Sequence, residues 1–506
     1  MRFSTLTITW RDEFLSSPRR KELTMDKKNM VSSLTGPRMT VDLYASRLKV
    51  FAARMKPNSV AIIVANPERT RSNDTEFEFR QSSDLLYLTG FPEPEAALMV
   101  SKSGRKLTTS LFVRPKDRAR EIWTGIRHGV EGAKANFACD QAFTVDQFAR
   151  EVASAISSAK VVYYKYGNSE HFDAQFDKAW KAEQRTLENP ETIVHEMRLF
   201  KSERELDIMR HAAKISAAAH SEAMRLCQPD STEYQLEAII ESVFRFNGAD
   251  FTAYNSIVAG GNNAVILHYT TNNDPLKSGD LMLVDAGCEY QGYASDITRG
   301  FPVNGKFSDA QRTIYQLVLD AQKAAIKAGV AGSSLTKVHQ AASKVLRAGL
   351  YKLGIISKSV STMAGERRAL QEHAKAVAAA KASGGKAPAE PVTLRSFFMH
   401  GTSHWLGLDV HDVGTGGTRD PFGKKRKLEP GMVFTVEPGL YFDKDDTRVP
   451  AEFRGIGVRI EDDVAITADG HEVLTAGVPK EIHEIESLMA EGRHLRLTGT
   501  RVASIH

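Results

Sequence analysis

Residues 281–299, LMLVDAGCEYQGYASDITR, constrain this chain more than any other stretch. Two apolar runs flank the polar Glu289-Tyr290-Gln291-Gly292, the pattern of a β-hairpin. With the turn centred between Tyr290 and Gln291, Asp285 and Asp296 fall directly opposite each other on one face, with Cβ atoms roughly 4.5–5.5 Å apart. Two carboxylates at that separation repel, and an Asp in an apolar LMLVD strand is costly without a partner. A divalent cation would compensate them; so would a proton shared between the two carboxyls. The plainer alternative makes one Asp a turn or cap residue and turns the other to solvent.

At 506 residues the chain exceeds one ordinary domain, and two or three are expected. Its 42% hydrophobic and 25% charged content is that of a globular chain able to bury a large core. A net charge of +5 gives no case for a nucleic-acid partner, and no run reaches the roughly 18 apolar residues of a membrane span. Cys139, Cys227 and Cys288 lie far apart without C-x-x-C spacing. That argues against a disulfide framework and against zinc-thiolate chemistry, and suits a reducing, cytoplasmic setting. Cys288, near the hairpin turn, reads as a plain core or loop thiol. Residues 1–38 lack the apolar centre of a secretory signal and read as a disordered leader; their basic, Ser/Thr-containing start resembles a transit peptide, against which Asp12, Glu13 and Glu22 count.

From residue 39 an amphipathic helix leads into a strand at 60–66, and further strands are expected at 85–89, 97–100, 107–113 and 161–166, with a helix at 145–158. This alternation predicts a compact α/β region over 39–188. A second region, 189–490, opens with Ser202 and Glu205 at capping-box spacing before a long helix to about Cys227. Helices are expected at 232–246, from Ser308 (with Gln311) to 328, and at 336–353, and a strand at 251–259. Residues 355–395, with the Ala/Lys-rich AKAVAAAKASGGKAPAE, read as a partly helical, mobile surface insertion, and 491–506 as a polar tail.

Beyond the two Asp residues, His404 in HGTSHWLGLDVHD, Glu437 in VFTVEPG and Glu461 in VRIEDD have the look of ligands. Each carboxylate ends or interrupts an apolar β-like run, as Asp285 does. Four carboxylates and one imidazole form a hard, oxygen-rich set, suited to two divalent ions such as Mn²⁺ rather than to a cysteine-rich zinc centre. Two ions about 3.5–4 Å apart share a bridging hydroxide and polarise a carbonyl. Singly each signal is weak. A Glu before Pro-Gly is usually a turn residue, and His400 and His404 have i,i+4 spacing without the intervening Glu of an HExxH motif. Their combination and order are specific.

Asp285 in VDAG, Asp296 in YASDITR, the HGTSHWLGLDVHDVG segment, TVEPGLY and VRIEDD together resemble the pita-bread metallopeptidases, and within them the proline-specific branch, aminopeptidase P (Xaa-Pro aminopeptidase). The similarity extends over residues 39–490, and DLLYLTGFPEPEAAL resembles the pattern of the family's N-terminal domain. The resemblance implies an α/β N-terminal creatinase-like domain followed by an α+β pita-bread catalytic domain with a curved, mostly antiparallel sheet. It implies that Asp285 and Asp296 bind one metal, and that Asp296, His404, Glu437 and Glu461 bind a second, with Asp296 and Glu461 bridging. Mn²⁺ is the favoured ion, with Zn²⁺ or Co²⁺ as alternatives. Glu437 would also be the general base for the attacking water. His268 would assist near the substrate amine and the tetrahedral intermediate, and His411 would contact the substrate carbonyl. His400, Tyr254 and Arg459 would surround the proline ring. The implied reaction is release of the first residue from peptides with proline second, by attack of a metal-bound hydroxide, in a homodimer or homotetramer.

The chemistry agrees with the resemblance. An Xaa-Pro bond is a tertiary amide without an N–H, so recognition through that donor fails, whereas hydroxide attack needs only the carbonyl. Four carboxylates balance two divalent ions, which leaves the buried site near neutrality. Prolidase, which takes only Xaa-Pro dipeptides, is the nearest rival because it shares fold and ligands; the HGTSHWLGLDVHDVG wording favours the aminopeptidase. Methionine aminopeptidase would not need the large N-terminal region, and creatinase-type hydrolases do not use this metal set. A catalytically silent scaffold would have lost ligands, and a proton-sharing aspartic dyad would need an Asp-Thr/Ser-Gly context. The 355–395 insertion ends just before His400 and is expected to form part of the pocket rim, restricting substrate length.

Overall fold

The computed structural model describes residues 36–180, 185–414 and 423–492. The leader and tail expected at 1–38 and 491–506 lie, but for their inner few residues, outside the described residues. From Arg38 onward the chain clusters as one compact unit.

Residues 59–188 build a six-stranded mixed sheet, in the order Gln141–Thr144, Lys106–Val113, Ala97–Ser103, Ser59–Val64, Val161–Tyr163, Thr186–Glu188. The strand Ser59–Val64 is buried along its whole length, and its alternating side chains serve two cores. Val60, Ile62 and Val64 pack with Phe148, Val152 and Phe172, under the helices Phe148–Ser157 and Glu170–Ala179. Ala61 and Ile63 face the other way, into a core that includes Leu48 and Phe51 of the helix Val41–Arg54 and runs on into the second half of the chain. The last strand, Thr186–Glu188, is followed by the helix Glu191–Arg198.

The expected strand at 85–89 is instead the helix Ser83–Thr89. Gly90 ends it with φ at +68°, a left-handed cap that glycine adopts without strain. The apolar run DLLYL satisfies helical and strand burial equally, so the cap decides. The expected strand at 161–166 stops at Tyr163, and the one at 251–259 is broken into Phe251–Thr252 and Ile257–Gly260, which join different sheets.

The second half is an assembly of short antiparallel sheets: Ile257–Gly260 with Leu281–Asp285 and Thr298–Pro302; Phe251–Thr252 with Cys288–Tyr290 and Tyr293–Ala294; Val433–Val436 with Asp462–Thr467 and Gly470–Val473; and Gly439–Phe442 with Ile456–Arg459. Long helices accompany them, Glu203–Leu226, Glu233–Phe246, Asp309–Ala328 and Leu335–Lys352; the first and third start with the expected capping boxes (Ser202/Glu205, Ser308/Gln311), and the second starts with one that was not expected (Thr232/Gln235). Among the described residues no helix is long and apolar enough to cross a membrane.

The hairpin forms, but its register is shifted. Tyr290 pairs with Tyr293 and Asp285 with Thr298, so the turn is Gln291-Gly292 rather than centred between Tyr290 and Gln291. Both turn residues have positive φ (53° and 80°), the backbone of the two-residue turn that matches strand twist. Asp296 therefore lies across from Gly287, not from Asp285. Because positions two apart share a face, both Asp side chains still point the same way. Gly287 has no room for a side chain, since a Cβ there would fall 1.8 Å from the Ser295 carbonyl oxygen. Cys288 is buried in the core, as expected.

The insertion contains one long helix, Met363–Ser383, whose only buried residue is Glu366, held by Arg347. None of the residues lining the site described below comes from 355–395, so the cleft wall itself is built without the insertion.

Candidate metal centre and active site

A cleft of about 520 Å³ opens over the inner face of these sheets. All ten residues singled out from the sequence line it: Tyr254, His268, Asp285, Asp296, His400, His404, His411, Glu437, Arg459 and Glu461. The ligand candidates stand where strands end. Asp285 closes Leu281–Asp285, Glu437 sits between Val433–Val436 and Gly439–Phe442, and Glu461 sits between Ile456–Arg459 and Asp462–Thr467. An apolar strand buries its side chains on the core, and a residue at its end or just past it is free to turn a carboxylate into the cleft.

His404 belongs to an irregular segment fastened to the strand Val433–Val436. Thr435 donates its N–H to the His404 carbonyl (2.9 Å), and His404 donates its own to Thr435 Oγ1 (3.1 Å). The His404 Nδ1 lies 3.0 Å from the Trp405 carbonyl and donates to it, which leaves Nε2 facing the carboxylates. Asp296 Oδ2 and Glu437 Oε1 are 3.4 and 3.7 Å from Nε2. Asp296, His404 and Glu461 bring one ligand atom each to within 4.8 Å of one another. The Tyr254 hydroxyl joins Asp285 to this group, 2.6 Å from Oδ1 of both Asp285 and Asp296.

A second set of contacts orients these side chains. Arg459 donates to Asp285 Oδ2 (2.5 Å), to Thr298 Oγ1 (3.0 Å) and to the Tyr441 hydroxyl (3.0 Å). Thr298 in turn donates to Glu461 Oε2 (2.6 Å). His400 Nδ1 donates to the Gly401 carbonyl (2.7 Å), so its Nε2 accepts from the Tyr441 hydroxyl at 2.7 Å. Arg299, fully buried, pairs with Asp462 (2.7 Å) and donates to the backbone carbonyls of Thr298 and Glu461, clamping two ligand-bearing segments together. Thr298, Tyr441 and Arg299 were not singled out from the sequence. Thr298 had a signal, since it lies two residues after Asp296 and so on the same strand face; the other two had none. Tyr254 and Arg459, expected around a proline ring, are committed through their polar atoms to the carboxylates.

The electrostatics describe an unbalanced site. Four carboxylates, three buried and Glu437 half-buried, face one guanidinium and the imidazole of His404, with His400 Nδ1 3.5 Å from Glu437 Oε2. Burial, with Asp296, Glu437 and Asp285 nearby, pushes Glu461 well above the usual carboxylate range. Burial also raises Glu437 to about 7, against the pull of His404 and Arg459, and raises Asp285 despite Arg459. Burial opposes a charge on His404 as well, yet the hydrogen bond to Asp296 and the charge of Glu437 carry its imidazole to about 9. Asp296 alone of the four is held low: burial works against it, but His404, Tyr254 and Arg459 together outweigh burial. Without added cations Asp285, Glu437 and Glu461 are all pushed toward their protonated forms. Two divalent ions would displace those protons and leave the group near neutral, so the donor set fits hard divalent metals.

Residues 207–468 match metallopeptidase family M24, and residues 44–163 match the aminopeptidase P N-terminal domain. The chain is 43% identical to the Xaa-Pro aminopeptidase of Escherichia coli K12 over 461 residues, which cover 89% of this chain and 98% of that protein. The structure superposes on Pseudomonas aeruginosa aminopeptidase PepP with a TM-score of 0.81 at 43% identity, covering 90% of this chain and 99% of that one. It matches zinc-substituted E. coli aminopeptidase P in complex with product equally well (TM-score 0.81, 41% identity, 90% and 99% covered).

Proposed function

Because this chain belongs to metallopeptidase family M24, with the N-terminal domain of aminopeptidase P before it, we propose that it removes the first residue from peptides whose second residue is proline. The observation that carries the reading is the convergence of Asp285, Asp296, His404, Glu437 and Glu461 on one cleft from five separate positions in the chain. We take 39–188 and 189–490 as the two functional regions, with the second carrying the chemistry.

Asp285 and Asp296 would hold one divalent ion and Asp296, His404, Glu437 and Glu461 another; Mn²⁺ suits this oxygen-rich set best, with Zn²⁺ or Co²⁺ as alternatives. When bound, the ions supply Lewis acidity at the scissile carbonyl and a water acidified toward neutral pH. Glu437, at the cleft wall, is placed to take a proton from water and return it to the departing proline nitrogen. His268 and His411 stand at the cleft wall to bind the substrate amine and carbonyl. Burial keeps His411 below the ordinary histidine range, so it meets the carbonyl as a neutral imidazole. Burial and Arg459 hold His400 at about 3, so it too stays neutral beside the proline ring. Ile257, Leu267 and Val410 give the cleft an apolar wall for a substrate without an N–H to offer.

We place the protein in the cytoplasm, in keeping with its three free cysteines. A homo-oligomer would give Ile122, Trp123 (85% exposed) and Ile126 a partner, since all three stand out from the N-terminal region. Hydrolysis of a matched pair, Xaa-Pro and Xaa-Pro-Yaa, tests the function with Mn²⁺ and with chelator. Metal-dependent cleavage of the tripeptide is expected. Cleavage of the dipeptide alone would make the protein a prolidase, and cleavage of neither would end the reading.

A further inference from the structure

The loop that presents His404 and His411 has little regular structure of its own. Its backbone is tied down at a few points, from Leu406 N–H to the Val433 carbonyl (3.1 Å), from Ala294 N–H to the Gly407 carbonyl (2.8 Å) and from Asp412 N–H to the Trp405 carbonyl (3.0 Å). Asp409 and Asp412 bracket Val410 and His411, which line the cleft. Both carboxylates meet one guanidinium. Arg198, with 3% of its side chain exposed, donates from Nη2 to Asp409 Oδ2 (2.7 Å) and Asp412 Oδ1 (2.6 Å), and from Nη1 to Asp84 Oδ1 (2.7 Å). Asp84 lies on the helix Ser83–Thr89 of the N-terminal region. Lys201 Nζ completes Asp412 at 3.1 Å, and Ser83 Oγ donates to Asp409 Oδ1 at 2.6 Å. The packing leaves no slack: a Cβ on Gly407 would fall 2.1 Å from Asp412 Oδ2.

We propose that Arg198 is a positioning residue for the reaction: by clamping Asp409 and Asp412 to Asp84, it fixes the His411 imidazole where the substrate carbonyl binds. The inference rests on the role given to His411 above. Arg198 itself does not line the cleft. The fork is essential, because a guanidinium holds several carboxylates in a fixed plane and a lysine ammonium, a point charge, does not. The plainer alternative is that Arg198 only fastens the N-terminal region to the rest, with no bearing on the chemistry. The two differ in coupling. If Arg198 acts through His411, its replacement costs nothing further once the imidazole is gone.

The test is a double-mutant cycle on an Xaa-Pro-Yaa tripeptide with Mn²⁺, using the full chain, Arg198→Lys, His411→Ala and the double variant. Arg198→Lys is expected to lower kcat about tenfold with KM changed less than about twofold, and to have less than about a twofold effect in the His411→Ala background. Equal losses in both backgrounds, or no loss in either, would overturn the proposal. An inactive wild-type corner would instead remove the proposed function, so the two failures are distinguishable. If thermal melting shows that Arg198→Lys does not fold, Asp409→Asn takes its place in the same cycle. It removes one arm at a carboxylate that is 39% exposed, and the same two outcomes decide.

Discussion

Two clusters, Asp84 with Glu191 and His195, and Asp296 with His404 and Glu461, each bring three ligand atoms to within 4.8 Å of one another. By distance alone the two clusters are equivalent. Their surroundings differ. At the first, Arg198 pairs with Asp84 (2.7 Å), Lys165 pairs with Glu191, and His195 Nε2 lies 3.2 Å from Asp84. The adjoining void measures about 10 Å³, too little for an ion with its shell. At the second, Asp285 and Glu437 add to the negative charge, Arg459 offsets one carboxylate, and the cleft beside it holds about 520 Å³. Donor spacing does not make a metal site. Buried charge left uncompensated next to open space does.

The sharpest way to break that contrast is to neutralise one carboxylate in each cluster. Glu461→Gln should lower kcat/KM on an Xaa-Pro-Yaa peptide by roughly 10³ or more, a loss of several kcal/mol in transition-state stabilisation. Glu191→Gln should leave it within about twofold, because that carboxylate answers a lysine rather than a substrate. Equal losses would mean that charge balance does not separate the clusters.

Stability against pH sharpens the contrast further. In the metal-free protein Glu437 is held near 7 and His404 near 9, both above their unfolded values. Groups shifted in that direction favour the folded state below the unfolded pKa and lose that contribution as pH rises through the folded one. The Tm of chelator-treated protein should therefore fall between about pH 5 and about pH 9, and Mn²⁺, which keeps the carboxylates ionised and the imidazole neutral, should flatten the fall. Asp84→Asn works at the compensated cluster. It should cost about 1–3 kcal/mol in denaturant unfolding by leaving the Arg198 guanidinium short of a partner, with the Mn²⁺-induced Tm rise unchanged. The smallest effect is expected from deleting 371–388, which spares Glu366 and its buried pair with Arg347; kcat/KM for short and long peptides should stay within about twofold.

The convergence of the carboxylates on one cleft was legible in the sequence because they punctuate apolar runs. Asp285, Glu437 and Glu461 break strands whose side chains are otherwise buried, and a charge there announces itself. The face of the hairpin was legible too, since a register shift of one pair keeps Asp285 and Asp296 on the same side, although Gln291-Gly292 and not Tyr290-Gln291 make the turn. The segment 85–89 was not, because four apolar residues in a row fit either period and Gly90 settles the matter only through its left-handed φ. Of the compensating cations, Arg459 was named, but those of the other cluster were invisible. Arg198 meets Asp84 and Asp409 across 114 and 211 residues, and nothing local to the sequence around Arg198 marks it as anything but a helix-end charge. Arg299 and Tyr441 were missed for the same reason.

The most direct measurement is the number of divalent ions retained per chain, by elemental analysis after Mn²⁺ loading and desalting, in the wild type, Glu461→Gln and Asp84→Asn. About two ions are expected in the wild type and in Asp84→Asn, and one or none in Glu461→Gln. Retention of metal by Glu461→Gln, or its loss from Asp84→Asn, would contradict the assignment of the centre to the uncompensated cluster.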